Sequence, residues 1–159
     1  EGIHLINSTT YLEPLLAKAG VLTKRSPSEE ERADIAYGRK VAQGLAQFDI
    51  GQTVVVAASA CVAVEAMEGT DATIARAGEL MRSIESDAST FARKLTVVKV
   101  AKPNQDMRFD VPIVGVKTIE MMKAAGATCL ALDAGKCLLL DGDKVIDSAD
   151  AVGISITSE

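Results

Sequence analysis

The sequence has few of the residues on which metal clusters, covalent catalysis and disulfide frameworks depend. Among its 159 residues there are one histidine, His4, and three cysteines, and tryptophan is absent. A single histidine provides no basis for a histidine metal cluster, and no Cys–His pairing of the kind that covalent catalysis needs is visible. The cysteines lack metal-like spacing, so we expect them to be buried and reduced, as in a cytoplasmic protein. His4 lies on a predicted first strand, and we interpret it as structural.

The sequence also has few aromatic residues, lacks long apolar runs and carries no positive net charge. Aromatic residues make up 3% of the chain and apolar residues 48%, so the core must be built from Ala, Val, Leu, Ile and Met. The net charge of −5 argues against a nucleic-acid partner, and an anionic ligand would need local Lys or Arg or a metal ion. The sequence shows no membrane-spanning run, no signal peptide and no basic amphipathic helix. We therefore expect a cytoplasmic protein without a stable membrane anchor.

The hydrophobic pattern predicts helices and strands in alternation. Ser28 and Glu31 form a capping box at the start of a helix that continues to Leu45. The pattern predicts further helices over residues 11–18, 72–83, 116–125 and 144–152, a strand pair at 50–56 and 61–64, and strands at 3–6, 95–100, 128–132, 136–140 and 154–156. Such alternation with interspersed hairpins is typical of a single α/β domain, in which helices pack on a mixed sheet.

A polar run follows the predicted strand at residues 95–100. Asp106 and Asp110 offer hard oxygen ligands for Mg²⁺, which takes one or two carboxylates together with substrate phosphate and water. Arg108 offers a planar fork for phosphate oxygens, and Lys99 and Lys102 would add positive charge. The alternative is a solvated loop in which Arg108 pairs with its neighbouring acids.

A second polar block joins a predicted strand to a predicted helix. Glu65 and Glu68 precede a glycine, after which Thr70 and Asp71 begin the helix. A strand end, a glycine and a helix N-terminus form an anion-compatible nest, although the acids favour metal binding or capping. The alternative is that Thr70 and Asp71 only cap the helix. Gln52, at the start of another strand, is a third candidate, or else belongs to a simple turn.

Two polar blocks and several shorter segments carry a family resemblance. The two blocks are AVEAMEGTD at residues 63–71 and VKVAKPNQDMRFDVP at residues 98–112. The shorter segments are LTKR at 22–25, ERADIA at 31–36, FDIGQTVV at 48–55 and DAGK at 133–136. In order and spacing they resemble the C-terminal half of the LpxI-type UDP-2,3-diacylglucosamine pyrophosphatase family of lipid A biosynthesis. Asn104 stands where the family more often has Gly, and Asn tolerates the same left-handed backbone.

The resemblance implies an activity and a domain arrangement. Members hydrolyse the pyrophosphate bond of UDP-2,3-diacylglucosamine with Mg²⁺, which gives lipid X and UMP. By resemblance, residues 1–159 are the C-terminal domain of a two-domain hydrolase, and residues 1–27 are a candidate linker. A Rossmann-like N-terminal domain, absent from this chain, would complete the substrate cleft, so we expect the fragment to be nearly inactive alone. A homodimer and a peripheral location at the inner membrane would also fit the family.

Combined with the residue chemistry, the resemblance suggests roles for individual side chains. The predicted catalytic residues are Asp106, Asp110 and Asp71, and the first two are also the predicted metal ligands. The predicted substrate-binding residues are Arg108, Lys102, Gln105, Glu68, Thr70 and Gln52. The alternative function is a non-catalytic nucleotide- or metal-binding module, or an oligomerisation module, with the same fold.

Overall fold

The fold is organised around a mixed β-sheet. The structure is a computed structural model that describes residues 2, 6–7, 9–85, 94–103 and 110–159. Six strands form the main sheet: β1 (Gly20–Val21), β2 (Thr53–Ala57), β3 (Ala60–Val64), β4 (Leu95–Lys99), β6 (Ala127–Leu132) and β8 (Ser155–Ser158). A separate parallel pair consists of β5 (Ile113–Val114) and β7 (Leu138–Leu139).

Helices cover both faces of the main sheet. They are α1 (Glu29–Gln47), α2 (Thr70–Glu85), α3 (Val116–Ala125) and α4 (Gly142–Ala151). On one face, α1 packs Ile35 and Ala42 against Val54 and Val98 of the sheet. On the other face, α2, α3 and α4 bury the larger of the two apolar clusters. The predicted α/β class, with helices packed on a mixed sheet, is confirmed.

The strand order places several strand ends at one edge of the sheet. The order is β1-β8-β6-β4-β2-β3, with β4, β6 and β8 parallel to one another and β2 antiparallel to β4. Lys99, the last residue of β4, is therefore the register partner of Thr53, the first residue of β2, and of Leu132, the last residue of β6. We call this the carboxyl edge, and ligands of open α/β sheets usually bind at such an edge.

The N-terminus of α1 forms as its sequence predicts. Ser28 Oγ accepts a hydrogen bond from Glu31 N at 3.2 Å, and Glu31 Oε2 accepts one from Ser28 N at 2.8 Å. Arg25 binds both carboxylate oxygens of Glu31, at 2.7 and 2.9 Å, and Thr128 Oγ1 donates to Oε1 at 2.6 Å. Burial alone would raise the pKa of Glu31, but these hydrogen bonds and the Arg25 charge lower it to about 2. The network anchors α1 to the start of β6.

The β2–β3 hairpin turns without glycine or asparagine. Ala58 and Ser59 both have positive φ angles, 51° and 57°, a backbone that usually favours Gly or Asn. The buried carboxylate of Asp34 compensates, because its Oδ1 accepts a hydrogen bond from Ser59 N at 2.6 Å. The predicted strand pair is confirmed, and a tertiary contact from α1 holds its turn.

Three local predictions are wrong or fall outside the described residues. The predicted helix over residues 11–18 is only a 3₁₀ turn at Glu13–Leu15. It stops there because Ala17 N donates to Cys137 O at 2.9 Å and Leu16 bridges to Leu138, so the backbone bonds across the fold. The predicted strand at 136–140 shortens to β7 and lies outside the main sheet. Most of the predicted strand at residues 3–6, with His4, lies outside the described residues.

The cysteine prediction is correct for two of the three thiols. Cys129 and Cys137 are buried, and burial raises the pKa of each to about 12. Cys61 is exposed, contrary to expectation, because β3 is the outermost strand and Cys61 adjoins the hairpin turn. All three cysteines are free. No helix in the described ranges combines the length and apolar character that crossing a bilayer requires.

Candidate functional site

A buried polar cluster lies at the carboxyl edge, beneath the first turn of α2. Thr53 and Lys99 face each other across β2 and β4, Glu65 directly follows β3, and Thr70 begins α2. Lys99 is 5% exposed, Glu65 7% and Thr53 0%. We call these four residues the Thr70 cluster. Polar side chains are this deeply buried only when they are hydrogen-bonded or bind a ligand.

Thr70 Oγ1 is the hub of the cluster. It accepts a hydrogen bond from Lys99 Nζ at 2.6 Å and donates to Glu65 Oε1 at 3.0 Å. Because Thr70 has only one hydroxyl proton, which Glu65 accepts, Thr53 Oγ1 must donate in the 3.2 Å contact between the two hydroxyl groups. All three hydrogen-bonding positions of the Thr70 hydroxyl are therefore occupied. This network fixes the N-terminus of α2 against the sheet.

Asp71, the next residue of α2, connects the cluster to α3. Thr118 Oγ1 donates to Asp71 Oδ1 at 3.0 Å, and Lys117 Nζ lies 3.7 Å from Oδ2. Gly115 occupies the N-cap position of α3 and has no side chain with which to cap it. The N-termini of α2 and α3 thus converge on one carboxylate, and both helix dipoles direct positive potential towards this point.

The close approach of α2 to α3 depends on a glycine. A Cβ atom added at Gly78 would lie 2.7 Å from Ala125 Cα, so no larger residue fits without moving a backbone. Two small residues therefore allow these helices to pack tightly. That packing brings Asp71 within reach of Thr118.

Gln52 and Gly51 form the approach to β2 on the other side of Glu65. Gln52 N donates to Glu65 Oε2 at 3.4 Å, and Gln52 O accepts from Val100 N at 2.9 Å. The side-chain Oε1 of Gln52 is buried and has no hydrogen-bond partner among the described residues. A Cβ at Gly51 would lie 2.0 Å from Glu65 O, so this position requires glycine. The predicted candidate Gln52 therefore contacts the Thr70 cluster through its backbone.

Lys102 extends the site beyond the end of β4. Its ammonium lies 2.5 Å from Asp49 Oδ1. The hydrogen bond to Asp49 raises the pKa of Lys102 despite partial desolvation, and the charges of Asp110 and Glu65 add to this effect. The lysine borders a hollow of about 360 Å³, which among the described residues is also lined by Ala46, Gln47, Asp49 and Pro103. Lys102 and Asp110 therefore share one electrostatic neighbourhood with the Thr70 cluster.

Glu68 bonds to α2 instead of joining the Thr70 cluster. Its Oε1 lies 2.6 Å from Arg76 Nη2, and its Oε2 accepts from Ala66 N at 3.1 Å. Its own backbone N–H and the Arg76 guanidinium lower the pKa of Glu68 to about 2. The carboxylate is therefore ionised at neutral pH and paired with a cation.

The remaining predicted residues belong to the polar block at residues 98–112. Gln105, Asp106 and Arg108 fall outside the described residues, whereas Asp110 falls within them. In the described ranges, no three His, Cys, Asp or Glu side chains form a group that could hold a metal ion. Mg²⁺ commonly takes only one or two carboxylates, with water and phosphate completing its shell. The carboxylate and hydroxyl oxygens of the described site, among them the half-buried Asp71 and the exposed Asp110, fit Mg²⁺ better than a softer metal.

Comparison with known proteins identifies the family. A sequence model of the LpxI C-terminal domain matches residues 18–157. The chain belongs to the LpxI C-terminal domain family. It is also 36% identical over 157 residues to UDP-2,3-diacylglucosamine pyrophosphatase LpxI from Caulobacter vibrioides, an alignment that covers 98% of this chain and 55% of that relative. The chain therefore spans about half the length of the curated relative that it matches.

The LpxI C-terminal domain match covers α1 to α4 and every residue of the Thr70 cluster, and the predicted family is confirmed. The predicted catalytic, metal-binding and substrate-binding residues did not include four side chains that the structure brings together: Thr53, Glu65, Lys99 and Thr118. Of these, the sequence pointed to Glu65 as part of an acidic block and to Lys99 as an added charge, without a specific role for either. Lys99 carried the clearest signal, since it is a lysine at the end of an otherwise apolar run. The contact between Thr118 and Asp71 depends on tertiary packing and has no local signature.

Proposed function

We propose that the protein hydrolyses the pyrophosphate bond of UDP-2,3-diacylglucosamine, giving lipid X and UMP. This chain would supply the C-terminal half of the site, and a Rossmann-like N-terminal domain would supply the other half. The main support is the convergence of two helix N-termini, Asp71 and Lys99 at the carboxyl edge, in a chain 36% identical to a relative of that name. A site of this kind attracts phosphate in a protein whose net charge is −5.

The reaction requires charge neutralisation and an oriented nucleophile. Hydrolysis displaces one phosphoryl group by in-line attack of water, and negative charge grows on the phosphoryl oxygens. Lys117 and the N-termini of α2 and α3 would stabilise that charge. Lys102, which lies beyond the end of β4, would add a further cation. Asp106 and Arg108 belong to the same proposed site, the arginine as a phosphate ligand.

Acidic residues would hold the proposed Mg²⁺. Asp106 and Asp110 are the proposed ligands, with Asp71 near them to bind metal-bound water or substrate. The bound ion would neutralise phosphoryl charge and increase the acidity of water. Asp71 is well suited to a supporting role, because Thr118 orients its Oδ1 by a hydrogen bond and Lys117 lies 3.7 Å from its Oδ2.

The remaining predicted substrate contacts are Gln105, Gln52, Glu68 and Thr70. Thr70 and Gln52 would act mainly by shaping the site, because both make hydrogen bonds to protein groups. Since the proposed substrate carries acyl chains, we propose a cytoplasmic protein that works peripherally at the inner membrane, with a homodimer as its assembly state.

Release of UMP from UDP-2,3-diacylglucosamine by the full-length protein tests this function. We expect release that depends on Mg²⁺ and falls about tenfold or more in Asp106→Ala. The isolated 159-residue chain should be nearly inactive, because the shared cleft would be incomplete. Binding of substrate by the full-length protein without any turnover would instead support the non-catalytic module. Turnover unchanged in Asp106→Ala would remove that residue from the mechanism.

A further inference from the structure

Lys99 is a buried cation without an ionic partner in the described part of the chain. Its side chain is 5% exposed, and its ammonium makes a hydrogen bond to the neutral hydroxyl of Thr70. We propose that Lys99 binds a phosphoryl oxygen of the substrate directly. This inference rests on the proposed function and assigns one substrate contact within it.

The hydrogen-bond count of the ammonium supports this assignment. A lysine ammonium has three N–H donors and no acceptor. Thr70 Oγ1 takes one of the three, at 2.6 Å, and the described residues provide no acceptor for the other two. Buried donors are normally satisfied, and a charged donor that stays unsatisfied is especially costly. Two donors are therefore available for a ligand.

The nearby acid does not neutralise Lys99. Glu65 directs one carboxylate oxygen to Thr70 Oγ1 at 3.0 Å and the other to Gln52 N at 3.4 Å. It forms no ion pair with Lys99 in the described ranges, although both side chains are buried within one cluster. A buried positive charge thus remains at the N-terminus of α2.

The surroundings of Lys99 indicate an anionic ligand. The first turn of α2 adds the positive end of a helix dipole at Thr70, and Asp71 in that turn links it to Lys117. An ammonium next to a helix N-terminus is the combination with which many proteins bind phosphate. Lys99 lies at the carboxyl edge, three residues before Lys102 in the sequence. Two cations therefore lie near the start of the polar block at residues 98–112.

A purely structural role makes a different prediction. If Lys99 served only to hold Thr70, replacing it would weaken the fold and leave ligand affinity nearly unchanged. If Lys99 binds phosphate, the ligand-free protein retains a buried charge without a partner. Lys99→Met removes that charge and keeps the apolar stem. Relief of the buried charge should offset the lost hydrogen bond to Thr70, so stability should stay equal or rise while binding falls.

The test compares full-length wild type, Lys99→Met, Lys99→Gln and the control Lys123→Met, an exposed lysine in the last turn of α3. Three quantities are measured: the Kd for inorganic diphosphate by calorimetry, the KM for UMP release, and the urea midpoint without ligand. We expect both Lys99 variants to raise Kd and KM about tenfold or more, consistent with the loss of a charged hydrogen bond. Their urea midpoints should be equal to or above wild type, and Lys123→Met should match wild type throughout.

The outcomes separate this inference from the proposed function. A lower urea midpoint with Kd and KM near wild type in both Lys99 variants would make Lys99 structural and overturn the inference, while the hydrolase would stand. Failure of both variants to fold would overturn it in the same way. If wild type released no UMP but its diphosphate binding depended on Lys99, the anion contact would stand and the proposed function would fall.

Discussion

Replacing Thr70 by valine removes the hub of the buried cluster and preserves its volume. The change eliminates three hydrogen bonds, of which two have charged partners, Lys99 and Glu65, and one has the hydroxyl of Thr53. Each bond to a charged group contributes about 1.5–3 kcal/mol, and the neutral bond contributes about 1 kcal/mol. Because part of this loss would be recovered by water entering near the helix end, we expect Thr70→Val to lower the unfolding free energy by about 4 kcal/mol.

Urea unfolding followed by far-UV circular dichroism measures this loss. Thr73→Val is a matched control on the same helix, since its fully buried hydroxyl makes a hydrogen bond of 2.9 Å to Gly69 O and should cost only about 1 kcal/mol. Thr70→Ser keeps the hydroxyl and should recover most of the stability. If Thr70→Val lowers the unfolding free energy no more than Thr73→Val does, the hydrogen bonds of Thr70 do not hold α2 against the sheet.

Two further predictions concern the acid stability of the fold and the entrance to β2. The folded-state pKa of Glu31 is lowered to about 2 from 4.5, so its contribution of about 3 kcal/mol is fully present above pH 4.5 and lost as the pH falls towards 2. Glu31→Gln should flatten urea stability between these pH values, whereas the exposed Glu30→Gln should leave the slope unchanged. Gly51→Ala should lower both the melting temperature and UMP release, because the new Cβ would meet Glu65 O at 2.0 Å. As a control, Gly44→Ala in α1 adds a Cβ that meets open space, so it should raise stability by about 0.5–1 kcal/mol. A Gly51→Ala protein as stable as wild type would contradict the close packing of Gly51 against Glu65.

Local chemistry made the elements of the fold predictable. The Ser28 capping box starts α1, and Gly126 ends α3 with a left-handed φ of 79°. The hairpin between β2 and β3 was predictable from two β-branched runs separated by small residues. In each case, the residues that predict the element lie within it or within a few positions of it, although the hairpin turn is also held by Asp34 of α1.

Long-range contacts set the limits of that prediction. The segment before β1 was predicted as a helix, but Ala17 N bonds to Cys137 O, 120 positions further along the chain. The convergence on Asp71 depends on Gly78 packing against Ala125, and neither residue identifies its partner in the sequence. A candidate site could therefore be located from its charged residues, but its hydrogen-bond network could not.

The most direct test of the central claim measures steady-state UMP release from UDP-2,3-diacylglucosamine by the full-length protein with a single carboxylate altered. Asp71→Asn preserves size and removes the charge on which α2 and α3 converge, and Glu79→Gln removes an exposed charge from the same helix. We expect Asp71→Asn to lower turnover about tenfold or more and Glu79→Gln to leave it unchanged. Equal turnover in the two variants, or no UMP release by wild type in the presence of Mg²⁺, would contradict the proposed role of this carboxylate in hydrolysis.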